Sequence, residues 1–377
     1  MTAPRRTVVR HAPGKLFVAG EYAVVEPGNP AILVALDRHV TVTVTGTGTG
    51  GGGGAGVVIS SDLGRRAVGR RGPHGRLVFD GEGEGRRARS ALAHVVSAIE
   101  TVDRLLAERG LPVPVLEVSV SSRLHEDGRK FGLGSSGAVT VATVAAVAAF
   151  CGLELTLGDR FRLALLATAE LDPNGSGGDL AASTWGGWIE YRAPDRVFVL
   201  DLARRLGVDR AVHTPWPGHT VRRLPPPDGL SLEVGWTGNP ASTASLVSAL
   251  HRRTWRGTVS HRRFVETTAD CVRAAAVALH AGDGRGLLHQ VRRSRRELAR
   301  LDDEVGLGIF TPGLTALCDA AEALGGAAKP SGAGGGDCGI ALLDAGATRD
   351  ITHLRQRWET AGVLPLPIRP ALEGIEE

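Results

Sequence analysis

The stretch KFGLGSSGAVTVATVAAVAAF, residues 130–150, decides how this chain is built. Glycines at 132, 134 and 137 let backbone amides approach an oxyanion without obstruction from Cβ atoms. The Ala/Val run behind them, interrupted by threonine, is too short to cross a membrane and reads as a buried helix. Such a helix points its amide-rich, partly positive N-terminus at the same spot as the loop. Ser135 and Ser136 add hydroxyls suited to capping the helix, binding phosphate or ligating Mg²⁺, and Lys130 sets a charge at the loop's mouth. A triphosphate matches that arrangement, with Gly132, Leu133, Gly134, Ser135, Ser136 and Gly137 as its cradle.

Residues 132–137 also satisfy GxGxxG, and Val139 completes the glycine-loop pattern of protein kinases. A charged loop, not a strand, precedes Gly132, which argues against a dinucleotide turn. HRD, DFG and VAIK are absent, and so is GxxxxGK[ST], which removes protein kinases and P-loop enzymes. The loop gains force from other segments. Of 44 basic Lys and Arg side chains only Lys15, Lys130 and Lys329 are lysine, and each lies in or beside a glycine-containing segment. A compact ammonium differs from a forked guanidinium in reach and hydration, so this placement points to phosphate chemistry.

DPNGSGGDLAASTWGG (172–187) delivers Asp179 behind loop glycines and Ser176. A carboxylate so placed orients or deprotonates an attacking hydroxyl, or it caps a helix. PGKLFVAGEYAV (13–24) carries Lys15 into a β segment, where an ammonium stabilises charge at an attacking oxygen. Glu21 is either a partner for a nearby cation or a contact for the substrate. KPSGAGGGDCGIAL (329–342) is a second glycine loop leading into a strand, with Ser331, Gly332, Gly334, Gly335 and Asp337 placed for close approach to a ligand.

The 377 residues predict two domains, and 42% hydrophobic with 22% charged residues is ordinary for a soluble enzyme. A formal charge of +4 fits anionic small molecules without requiring nucleic acid. The run Arg292–Arg296 continues into ELARLDDE and reads as a solvated helix face. Four scattered cysteines suggest neither disulfides nor zinc. No long apolar stretch follows the basic N-terminus, so no signal peptide is expected. We expect a cytoplasmic monomer or homodimer that binds no nucleic acid and no membrane.

LFVAGEYAVV (16–25), AILVALD (31–37) and HVTVTVT (39–45) read as β segments, and GTGTGGGGGAG (46–56) as a flexible hairpin connection. Residues 63–76 and 80–89 read as surface connections, 90–109 and 158–170 as helices, and 114–122 as a strand. GGWIEYR (186–192) and RVFVLDL (196–202) read as a strand pair. The proline-dense PWPGHTVRRLPPPDG (215–229) divides domains 1–225 and 226–377. Beyond it come the strand SLEVGWTG, helices over 241–325 and the strand CGIALLD. Interleaved helices and strands make the class α+β, or mixed α/β.

Taken together, PGKLFVAGEYAV, KFGLGSSGAV and KPSGAGGGDCGIAL resemble, in order, the three motifs of the galactokinase–homoserine kinase–mevalonate kinase–phosphomevalonate kinase (GHMP) superfamily. KFGLGSSG, NGSGGDLAAST, VGWTGNPAST (234–243) and SGAGGGDCGIAL are most similar to bacterial phosphomevalonate kinases. The resemblance implies a two-domain GHMP fold, with an N-terminal domain like ribosomal protein S5 domain 2 and an α+β C-terminal domain. It implies ATP- and Mg²⁺-dependent phosphorylation of mevalonate 5-phosphate to the diphosphate, on the mevalonate route to isoprenoids. Lys15 and Asp179 would be the catalytic pair, residues 130–137 would cradle ATP, and Ser136 would ligate Mg²⁺. Glu21, Ser176, Ser242, Thr243, Ser331, Gly332, Gly334, Gly335 and Asp337 would line the substrate site. Glu170, nine residues before Asp179, is the nearest candidate for the metal-binding glutamate of mevalonate kinases, and its spacing is not a secure match. Mevalonate kinase, another small-molecule kinase of this fold and a non-catalytic relative are the alternatives.

Overall fold

The computed structural model describes residues 6–46, 56–72, 75–80, 82–126, 129–239, 246, 250 and 255–374. The first part holds β1 (Thr7–Ala19), β2 (Pro30–Gly46), β3 (Gly56–Ser61), β4 (Arg66–Arg71), β5 (Leu77–Phe79), β6 (Leu116–Ser122), the short pair β7 (His125–Glu126) and β8 (Arg129–Lys130), β9 (Trp188–Arg192) and β10 (Thr220–Leu224). Its helices are α1 (Glu82–Ala91), α2 (Ala93–Glu108), α3 (Ser135–Phe150), α4 (Leu157–Ala169), α5 (Gly178–Trp185), α6 (Arg196–Leu206) and α7 (Val208–His213). The strands run in the order β10-β9-β2-β6-β3-β4-β5, with β1 added against β2. AILVALD and HVTVTVT fuse into β2, long enough to pair with β9 through Pro30–Val34 and with β6 through Val40–Gly46. The alternation of its second half buries Val40, Val42 and Val44. Each buried valine contributes about 1.5–2 kcal/mol of hydrophobic stabilisation.

The sheet packs beneath α3, which is buried along most of its length and wedged among β1, β2, α2, α4 and α5. Its Ala/Val composition follows from that position: small side chains let five neighbours approach at once.

The second part holds β11 (Leu230–Trp236), β12 (Ala327–Pro330), β13 (Cys338–Asp344) and β14 (Leu364–Leu366), in the antiparallel order β12-β13-β11-β14. Its continuously described helices are α8 (Val259–His280), α9 (Gly284–Val305), α10 (Pro312–Glu322) and α11 (Thr348–Thr360). One face of this sheet packs on Leu317, Leu354 and Trp358 of α10 and α11. The other, through Val234, Trp236, Ile340 and Leu342, joins the core that the first sheet builds. The chain passes between sheets from Leu224 to Leu230. Its last stretch returns to the first sheet, where Ala371 donates to the Ala35 carbonyl (2.9 Å) and Gly187 donates to Ala371 (2.7 Å).

Four expectations are corrected. Residues 80–89 are largely α1, because an Arg/Glu-rich segment favours helix despite its glycines. Residues 63–76 contain β4, an edge-side strand that buries Ala67 and exposes Val68. RVFVLDL is not a strand but the start of α6. Asp195 caps its amides at Val197 (2.9 Å) and Phe198 (3.2 Å), and the buried residues Val199 and Leu202 have helical spacing. The glycine-rich connection is not a hairpin: β2 and β3 are separated by β6. Most of that connection, 47–55, lies outside the described residues.

Candidate active site

The three glycine-bearing segments converge where β1, the first turn of α3 and the loop between β12 and β13 meet. Lys15 lies on β1 between two register shifts, at Pro13/Lys15 and Phe17/Ala19, and such bulges re-aim side chains. Its amide donates to the Leu133 carbonyl (2.8 Å). Its stem packs beside Gly134, where an added Cβ would come within 2.9 Å of Lys15 Cγ, and its ammonium lies 5.4 Å over the Phe17 ring. Only 8% of Lys15 is exposed. The cation is thus drawn under the loop that the sequence assigns to phosphate.

Helix α3 starts at Ser135, with Gly134 before it in the left-handed region (φ 78°) and no side chain capping it. Ser135 and Ser136 therefore sit inside the first turn, which rules out the capping role. The first intrahelical bond runs from the Ala138 amide to Gly134 (3.1 Å), so the amides before it carry the positive end of the helix. The Ser136 hydroxyl is on an exposed residue at that end, whereas Ser135 is half-buried. Lys130, on β8, is exposed at the mouth.

Asp179 belongs to the first turn of α5, whose N-cap is Gly177, so it is not the cap itself. Its Oδ1 accepts from the Leu180 amide (3.0 Å). Its Oδ2 would lie 2.5 Å from a Cβ built on Gly137, so only glycine lets the carboxylate rest on the first turn of α3. The loop ahead of it is held by Tyr191, whose hydroxyl donates to the Ser176 carbonyl (2.6 Å), while the Ser176 hydroxyl accepts from the Gly178 amide (3.2 Å).

The third loop is stitched to β1. Ser331 Oγ accepts from the Phe17 amide (2.8 Å) and donates to the Phe17 carbonyl (3.0 Å), so this hydroxyl ties strand to loop. The Tyr22 hydroxyl donates to Ala333 (2.5 Å), and Lys329 pairs with Glu21. Glu21 is therefore the partner of a buried cation. Gly332 offers its amide to Glu21 at 3.5 Å, and Gly334 and Gly335 press on Ile309, with the Gly335 amide bonded to its carbonyl (2.9 Å). Asp337 holds φ 52°, and its backbone bonds Thr237 (2.9 Å) and Asn239 (2.8 Å). Its carboxylate packs against Gly132, joining the second and third loops. The Cys338 thiol donates to the Phe131 carbonyl (3.0 Å), and burial first, then Asp337, pushes its pKa up. Ser242 and Thr243 lie outside the described residues.

Sequence reasoning missed three neighbours. Arg196 donates to the Asp172 carbonyl (2.5 Å) beneath the 172–179 loop, and burial lowers its pKa. Asp172 shares a cleft wall with Phe17, Glu21, Ser176 and Gly332. His94, on α2, reaches the Thr140 hydroxyl (3.4 Å), and Thr140 bonds the Ser136 carbonyl (2.8 Å). Burial lowers the His94 pKa, with Asp179 opposing and Lys130 reinforcing the shift. No motif marks Arg196 or His94, and Asp172 opens the 172–187 segment without being singled out there; only folding brings 94, 140 and 179 together. Glu170 faces Arg104 (3.8 Å).

Residues 93–187 match the family model for the GHMP kinases N terminal domain, and 275–360 match that for the GHMP kinases C terminal. The chain is 78% identical over 375 residues to phosphomevalonate kinase of Streptomyces sp. (strain CL190), covering 100% of both. It is 29% identical over 377 residues to mevalonate kinase of Thermococcus onnurineus (strain NA1), covering 98% and 97%. Among solved structures, Streptococcus pneumoniae phosphomevalonate kinase in complex with phosphomevalonate and AMPPNP superposes with a TM-score of 0.81 at 26% identity, covering 97% of this chain and 99% of that one.

Proposed function

The chain belongs to the GHMP kinase family, and from that premise we propose that it transfers the γ-phosphoryl group of ATP to the phosphate of mevalonate 5-phosphate. The observation that carries this reading is the 78% identity over the full length to a phosphomevalonate kinase, in a chain that brings Lys15, the 132–137 loop and Asp179 together.

The acceptor is a phosphomonoester with a second pKa of about 6. Its attacking oxygen already carries negative charge near neutral pH, so no strong base is needed. A bond forms from that oxygen to the γ-phosphorus, the bond from the γ-phosphorus to the β–γ bridging oxygen breaks, and ADP leaves with the electron pair. Positioning and charge neutralisation supply the catalysis. The first-turn amides of α3 cradle the donor phosphates, and Lys15 neutralises charge at the transferring group. Asp179 orients the reacting groups, and Lys130 gathers anions at the mouth.

Mg²⁺ fits these residues. Among the described residues no cluster of three or more His, Cys, Asp or Glu forms a cage. An exposed Ser136 hydroxyl at the open end of α3 suits a cation that keeps most of its waters and takes substrate phosphates as ligands. Bound there, the metal would neutralise charge on the nucleotide phosphates. No helix among the described residues is long and apolar enough to cross a membrane. The reading places the enzyme in the cytoplasm with its nucleotide.

The test is ADP release by purified protein with ATP and Mg²⁺, comparing mevalonate 5-phosphate, mevalonate and no acceptor. Turnover with the phosphorylated acceptor alone is expected. Turnover with mevalonate would transfer the reading to mevalonate kinase, and silence with both would remove it.

A further inference from the structure

Lys329 is wholly buried, yet it lies at the seam between the two sheets. Its ammonium donates to the Glu21 carboxylate and to the Pro330 carbonyl (2.7 Å). The pair joins β12 to the turn after β1, so one end belongs to each domain. Glu21 Oε1 takes Lys329 and, at 3.5 Å, the Gly332 amide. Its Oε2 is buried without a partner, although Glu21 is only 3% exposed. Buried carboxylate oxygens seldom lack a donor, so this atom points to one that arrives with a ligand. Glu21 also forms part of the wall of a cavity of about 60 Å³, with Phe17, Asp172, Ser176 and Gly332. That cavity adjoins the reaction site, because Phe17 carries the Lys15 ammonium over its ring and packs beside Gly178, next to Asp179.

We propose that Lys329 is a positioning residue for the acceptor, holding Glu21 so that Oε2 accepts a hydrogen bond from the tertiary hydroxyl of bound mevalonate 5-phosphate. This rests on the function proposed above. The acceptor has three polar groups. Its carboxylate and phosphate are anions, repelled by Glu21 and by Asp172 on the same wall. The hydroxyl is the donor that remains. Seating it against Glu21 turns the phosphate away from the two carboxylates and toward Lys15. A compact ammonium suits this wholly buried position, in a chain that otherwise uses arginine almost throughout.

The experiment measures KM for both substrates, and kcat, in Lys329→Met, Glu21→Gln and the double variant Glu21→Leu/Lys329→Met. An acceptor analogue lacking the tertiary hydroxyl is run alongside. Lys329→Met and Glu21→Gln should each raise KM for mevalonate 5-phosphate about tenfold or more, with KM for ATP within about twofold. The double variant removes both charges, so its thermal stability should recover toward that of the parent while its acceptor KM stays raised. With the deoxy analogue, parent and Glu21→Gln should have equal KM values. Equal losses for ATP and acceptor, a double variant that regains acceptor affinity, or a Glu21→Gln penalty that persists with the analogue would each overturn the proposal. An unaltered enzyme that ignores mevalonate 5-phosphate would instead overturn the reading of function.

Discussion

Under the proposed function, the acceptor sets the work of Lys15 and Asp179. Lys15 is nearly buried and pressed beside the phosphate loop, so its charge acts with little screening by water. Asp179 spends one oxygen on its neighbour's amide and rests the other on the first turn of α3, an orienting posture. Lys15→Ala is therefore expected to lower kcat by roughly 10²–10³-fold, the loss typical of removing one group that stabilises developing charge. Asp179→Asn should keep its rate within about tenfold of the parent, since an ionised acceptor needs no base. Steady-state kinetics at saturating ATP checks both; the reverse ranking would sink the account. The candidacy of these residues was legible from the three lysines beside glycine loops and from the family motifs. Their neighbours were not. Arg196 and His94 lie outside every quoted segment, and Asp172, though it opens one, has no feature of its own that assigns it a place in the site.

At the scale of the element, strand periodicity and helix runs were readable where local propensity and tertiary environment agree. The Val/Thr alternation of β2 and the Ala/Val run of α3 are examples. RVFVLDL shows the other case, in which one capping aspartate and a helical burial pattern outweigh β-branched propensity. Arg292 and Arg295 differ too: they reach the Gly325 and Gly326 carbonyls and the carboxylates of α10, bonding across elements and not within one helix. A prediction belongs to the aromatic cluster joining α4, β9 and the turn before β10. His219 stacks on Phe161 (4.8 Å between centroids, 7° between planes), and its Nδ1 lies 3.0 Å from the Arg192 carbonyl. Burial, the largest cause, lowers its pKa; the Arg192 bond opposes and Arg162 reinforces the shift. Below its ordinary value of 6.5 the unfolded state binds more protons than the folded one. The stability that neutral His219 contributes is thus present above that pH and is lost as pH falls through the folded pKa. Thermal unfolding from pH 7.5 to about 5 should show a falling Tm, and His219→Phe should flatten it. An identical slope in the variant would refute the assignment.

Across the whole molecule, the returning C-terminal stretch matters as much as the seam between the sheets. Arg369 and Asp37 exchange two bonds (both 2.9 Å), and Ala371 bonds both Ala35 and Gly187. Four bonds at about 1 kcal/mol each predict that deleting residues from Arg369 onward destabilises the fold by roughly 4 kcal/mol. Chemical unfolding should show a lower midpoint, and an unchanged midpoint would show the tail to be incidental. The sequence read this end merely as the close of the second part, because pairing with a strand more than 300 residues earlier leaves no local pattern.

The sequence by itself determined the three glycine loops and, through the family motifs, the class of chemistry. Glycine spacing, lysine placement and a following helix are local properties, dictated by how backbone amides meet an anion. Only the tertiary structure decided which side chains share the site. Burial of Lys329 against Glu21, the Ser331–Phe17 stitch and the contact of Asp179 with Gly137 all arise when separate segments are packed at close range. Partners of that kind are chosen by geometry in three dimensions, and no spacing along the chain encodes them.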